Sequence, residues 1–122
     1  MNAQYLIDSV ILVDHLNGIS KATNWLSKNK NSYISVITRA EILAGADAEE
    51  LHSIKALLDS FVCLAIDSQT ADKAAELRKK HGLKLPDAFQ AALSILNNLE
   101  LVTRDAKDFE KKFSFVKIPY KL

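Results

Sequence analysis

Tyr5-Leu6-Ile7-Asp8 is the stretch whose reading decides the fold. Three strand-forming apolar residues run directly into a carboxylate, and Ser9 with the run Val10 to Leu16 reads as a helix behind it. A short apolar stretch ended by a lone acid is the pattern of a buried strand delivering one charged group to its C-terminal edge. In an open α/β sheet that edge is where ligands bind. The rest of the chain is therefore read for further acids brought to the same edge.

Working outward, Ser9 is expected to cap a helix from Val10 to about Asn17, and Ser20 a second over Lys21 to Lys28. Tyr33 to Ile37 reads as a second strand by its β-branched and aromatic content. Thr38-Arg39-Ala40-Glu41 matches a capping box, which starts a third helix running to about Ala46. Asp47 to Asp59 carries Leu51, Ile54, Leu57 and Leu58 at helical spacing. Phe61 to Ile66 reads as a buried third strand, which makes the single cysteine, Cys63, a core thiol. Ser68 to Lys80 predicts a fifth helix stopped by Gly82, and Pro86 opens a sixth that runs to about Asn97. Leu99 to Thr103 and Phe115 to Ile118 complete the strands. Strands alternating with helices predict one α/β domain, a central parallel sheet of about five strands covered by helices on both faces. The sixth helix is apolar over most of its circumference. Its polar residues Asp87, Gln90, Ser94 and Asn97 form one narrow stripe, facing either solvent or a cleft.

With 122 residues, 48% hydrophobic and 25% charged, the chain has an ordinary globular balance and the length of a single domain, 1–122. A net charge of +1 excludes a global field that would announce nucleic acid or membrane, so any basic patch is local. One cysteine excludes an internal disulfide. The start lacks a basic leader and no apolar run approaches about 18 residues, so a cytoplasmic protein without a membrane span is expected. Gly18, Gly45 and Gly82 are too isolated to cradle a phosphate.

Several acids share one placement. Asp8 follows the first strand, Glu41 lies in the first turn of the helix after the second, and Asp87 opens the sixth helix. Asp105 follows the fourth strand, with Asp108 three residues on. In a parallel sheet these loops open on one side, so the carboxylates are expected to converge. Each has a structural explanation as well: Glu41 closes its capping box, Asp87 complements a helix dipole, and Asp105 and Asp108 suit a turn. Asp8 has none, because no propensity places an acid directly after a central strand. Two carboxylates about 4 Å apart repel by about 4 kcal/mol at an effective dielectric near 20, so a converged set calls for protonation or a cation. All-oxygen ligation without paired Cys or His selects Mg2+ or Mn2+, and phosphodiester hydrolysis is the natural chemistry of such a site.

Leu6-Ile7-Asp8-Ser9, Ser35 to Gly45, Leu85-Pro86-Asp87-Ala88 and Val102 to Phe109 resemble, in order and spacing, the motifs of the PIN-domain family. The likeness is greatest to the VapC-like toxin ribonucleases of toxin–antitoxin pairs and covers almost the whole chain. It implies a Mg2+- or Mn2+-dependent endoribonuclease acting on RNA, commonly a homodimer, held inactive by a cognate antitoxin protein. It carries catalytic roles to Asp8, Glu41, Asp87 and Asp105, and metal ligation to Asp8, Asp87, Asp105 and Asp108. Val10 departs from the pattern, since the family often has a polar residue there; valine offers no donor or acceptor.

Ser9, Arg39, Lys84, Arg104 and Lys107 flank the acids and are the candidates for holding RNA phosphates, with solvated charge as the plain alternative. His15, His52 and His81 lack ligand spacing, and Arg78-Lys79-Lys80 reads as a helix surface. Two other functions compete. A non-catalytic module would hold only an antitoxin arginine or a structural ion. A phosphatase of the haloacid-dehalogenase-like group needs Asp-x-Asp, which Val10 breaks. The apolar face from Ile42 to Leu58 is the candidate dimer surface.

Overall fold

β1 (Tyr5–Ile7) lies at the centre of a parallel five-stranded sheet. It is flanked by β2 (Tyr33–Ser35) and β4 (Glu100–Val102), with β3 (Val62–Leu64) beyond β2 and β5 (Val116–Lys117) beyond β4. Every pairing is parallel. The computed structural model describes residues 4–104, 107, 109 and 113–122. Six helices connect the strands: α1 (Ser9–Leu16), α2 (Ser20–Lys28), α3 (Val36–Ala44), α4 (Leu51–Asp59), α5 (Ser68–His81) and α6 (Leu85–Asn97).

Alternation along β1 and β4 divides the interior into two layers. Leu6 and its register partner Leu101 point into a core built with Ala74 and Leu77 of α5 and Ala88 and Ala91 of α6. Ile7 and its partner Val102 point the other way, against Ile11 and Leu12 of α1, Ile42 of α3, and Ile54 and Leu58 of α4. All four strand residues are fully buried, each worth about 1.5–3 kcal/mol of transfer free energy. The expected α/β sheet with both faces covered is thus the observed one.

The element ends differ from the sequence reading in ways that matter for the site. Asp8, not Ser9, is the N-cap of α1, its side chain accepting from the Ser9 backbone N–H. The second strand stops at Ser35, whose hydroxyl caps α3 by accepting from the Thr38 N–H at 3.1 Å. The helix therefore begins three residues earlier than the Thr38 capping box predicts. Glu41 falls beyond the first turn and has no capping duty. Cys63 is exposed rather than a core thiol, because β3 is an edge strand, and its neighbour Val62 is 52% exposed. Among the described residues, no helix is long and apolar enough to cross a membrane.

Candidate functional site

Strand order reverses direction at β1, from which the chain goes to β2 and β3 on one side and to β4 and β5 on the other. Loops diverge at such a point and open a crevice at the C-terminal strand ends. Asp8 emerges there. Its backbone N–H continues the sheet by donating to Val102 O at 2.9 Å, so its position is fixed by the ladder itself.

The Asp8 carboxylate takes neutral donors only, among the described residues. Oδ1 accepts from the Ser9 backbone N–H at 3.0 Å and from Gln90 Nε2 at 3.2 Å. Oδ2 accepts from Thr103 Oγ1 at 2.8 Å. Thr103 is fully buried at the end of β4, and Gln90 reaches across from α6. An ionised carboxylate has about four lone-pair sites, so one on Oδ2 is left over by this count. Glu41 lies on the adjacent helix α3. Loss of water and then the negative charge of Asp8 push its carboxyl above the usual value, while the Ser9 hydroxyl pulls the other way. Two carboxylates are thus held in electrostatic contact, one gripped and one exposed.

Asp87 lies in the first turn of α6, half-buried. It precedes Gln90 by three residues, so helical spacing puts it on the face that reaches Asp8. Asp105 and Asp108, the acids of the fourth motif, lie outside the described residues. Among the described residues, no three side chains of metal-ligating type cluster. What is described still suits a hard divalent cation, because Asp8 and Glu41 offer carboxylate oxygens, and burial, with the charge of Asp8 added to it, raises the Glu41 carboxyl. Val10 packs against the Ile7–Ile11 core, so the departure from the family pattern is occupied with packing. Asp8 takes its side-chain donors from α6 and β4 instead.

The basic candidates separate. Arg39 donates to Asp59 at 2.8 Å. Arg104 grips Asp14 through Nε at 2.8 Å and through its terminal nitrogen at 3.1 Å. Both have carboxylate partners that the sequence reading did not foresee. Lys84, the residue before α6, and Lys107 are exposed. Thr38 and Thr103 were missed as site residues. Their signal was available in part, since each is a polar residue directly beside a buried strand or at the start of an apolar helix.

Comparison with known proteins agrees with the fold. The family profile of the PIN domain matches residues 5–112. The chain belongs to the PIN domain family. A Mycobacterium tuberculosis protein named ribonuclease VapC10 is 30% identical to this PIN domain over 123 residues, 94% of this chain and 92% of the relative. A structure titled toxin-antitoxin complex from Klebsiella pneumoniae superposes with a TM-score of 0.90 at 33% identity, over 99% of this chain and 100% of that one. FitAcB from Neisseria gonorrhoeae aligns with a TM-score of 0.80 over 97% and 99% of the chains; its 23% identity speaks to the fold alone.

Proposed function

We propose that this PIN domain is a Mg2+- or Mn2+-dependent endoribonuclease and the toxin of a toxin–antitoxin pair. The observation that carries the reading is Asp8, a carboxylate fixed by neutral donors at the switch point of the sheet, with the carboxyl of Glu41 raised against it. The relatives named ribonuclease and toxin–antitoxin complex supply the substrate class and the partner.

Asp8 and Asp87, with Asp105 and Asp108 of the fourth motif, would hold the cation. When bound, the ion supplies Lewis-acid polarisation of a phosphate oxygen and neutralises the acidic edge. Glu41, exposed and with its carboxyl raised above the usual value by loss of water and by Asp8, is suited to orient the attacking water and take its proton. The water oxygen forms a bond to phosphorus, the bond to the ribose leaving oxygen breaks, and a proton passes to that oxygen. Ser9, Lys84 and Lys107 would hold phosphates flanking the scissile one. Arg39 and Arg104 join them only by sharing their guanidinium groups with Asp59 and Asp14. A cognate antitoxin and a homodimeric state complete the proposal.

The experiment is an RNA cleavage assay on purified protein with Mg2+ or Mn2+, against the same assay in excess chelator and with Asp8→Asn. Cleavage that disappears in both supports the reading. Cleavage that survives in either ends this mechanism, and absence of cleavage by the wild type with either cation favours a non-catalytic antitoxin-binding module.

A further inference from the structure

Gln90 is only 2% exposed in the middle of α6, followed by the buried Ala91, Ala92 and Leu93. Both of its amide hydrogens are committed, to Asp8 Oδ1 at 3.2 Å and to Thr38 Oγ1 at 3.0 Å. Its Oε1 has no hydrogen-bond partner among the described residues. A carboxylate only accepts, so the NH2 end must face Asp8 and the orphaned oxygen cannot be relieved by flipping the amide. A buried acceptor without a donor is destabilising, and methionine or leucine would fill the same space without one. The residue is therefore poor as packing, and what favours it lies at its donor end.

That end is anchored. Thr38 is fully buried, and its hydroxyl lies 3.4 Å from Ser35 Oγ, the cap of α3. A chain of contacts thus runs from the start of α3 through Thr38 and Gln90 to one oxygen of Asp8, while Thr103 holds the other oxygen from β4. The last torsion of an aspartate is broad and weakly restrained by itself, so a grip on both oxygens is what sets the plane of the group.

We propose that Gln90 is a positioning residue: held by Thr38, it fixes the plane of the Asp8 carboxylate so that Oδ2 is presented to a divalent cation. This rests on the metal-dependent reading of the site and names a residue outside the acidic motifs that tunes it. Partners of this kind, behind a ligand, typically change metal affinity or activity by about 10- to 100-fold.

The test uses the full chain with Gln90→Met, Thr38→Val and the double variant. Mn2+ binding is read by electron paramagnetic resonance without RNA, and kcat and KM are measured beside it. The expected result for Gln90→Met is Mn2+ affinity weaker by about 10- to 100-fold, with the thermal midpoint of the cation-free protein unchanged or raised. The kcat falls in step at limiting Mn2+ and partly recovers in excess Mn2+, while KM for RNA is unchanged. Thr38→Val moves Mn2+ affinity in the same direction by less, and the double variant is no weaker than Gln90→Met alone. Wild-type Mn2+ affinity in folded Gln90→Met overturns the proposal. If that variant does not fold, unchanged affinity in Thr38→Val does so instead. Asp8→Asn separates the two levels: if it retains Mn2+ binding and cleavage, the site reading itself fails, whatever Gln90 does.

Discussion

Helix α1 has an aspartate near each end, and the two have opposite fates. Asp8, the N-cap, is held by a backbone N–H, an amide and a hydroxyl, none of them charged. Asp14, 4% exposed in the last turns, accepts from Nε and a terminal nitrogen of Arg104 and from the Tyr120 hydroxyl at 2.8 Å. The Arg104 hydrogen bonds hold the Asp14 carboxyl below its ordinary value, against the effect of burial. Burial first, then the bond to Asp14, pushes the Tyr120 phenol far up, so it stays a donor. The lesson is one of counter-charge. An acid supplied with a guanidinium is electrically closed and serves the fold, whereas an acid supplied with neutral donors keeps its charge for a cation from outside.

The contrast is broken most severely by exchanging the effects of the two sites. Asp8→Asn keeps a good capping side chain, so the fold should survive while RNA cleavage falls by more than the roughly 100-fold upper range for second-layer partners, measured at saturating Mg2+. Asp14→Ala should do the reverse. It removes a carboxylate from Arg104 and an acceptor from Tyr120 and costs about 3 kcal/mol by chemical denaturation, with cleavage per folded molecule retained. Next in size, Mg2+ at 100 times its dissociation constant should stabilise the wild type by about 2.7 kcal/mol, seen as a rise in thermal midpoint that vanishes in Asp8→Asn.

Acidity sharpens the comparison further, with opposite signs at the two places. The stability that Asp14 contributes is present above the ordinary value of 3.8 and is lost as pH falls through its lowered value. The contribution of Glu41 is present below its ordinary value of 4.5 and is lost as pH rises through its raised one. Glu41→Gln should therefore raise the thermal midpoint of the cation-free protein slightly at pH 7, and also blunt the rise that Mg2+ brings. Smallest of all, Ser94→Ala should change stability by less than about 0.5 kcal/mol or raise it, because it removes a buried hydroxyl with no partner among the described residues.

Asp8 was legible because the clue is local: an apolar run that ends in a charge. The sheet and its two covered faces followed from the alternation of elements. The start of α3 was misread because Ser35 and Thr38 are both good caps, and only the turn of the backbone after Ser35 decides between them. Cys63 was misplaced because strand composition does not tell an edge from a centre; that is set by which strands pair, a property of the whole chain. The polar stripe on α6 was visible, but its direction was not, since Gln90 finds Asp8 and Thr38 far away in sequence. The same distance hid the partners of Arg39 and Arg104.

The pairing of β1 with β4 has a consequence for how the protein is made. During translation Asp8 leaves the ribosome 95 residues before the hydroxyl of Thr103 that will hold it. A growing chain therefore carries Asp8 through that interval without the donor that grips its Oδ2. Both oxygens of Asp8 are held only once β4 has docked beside β1.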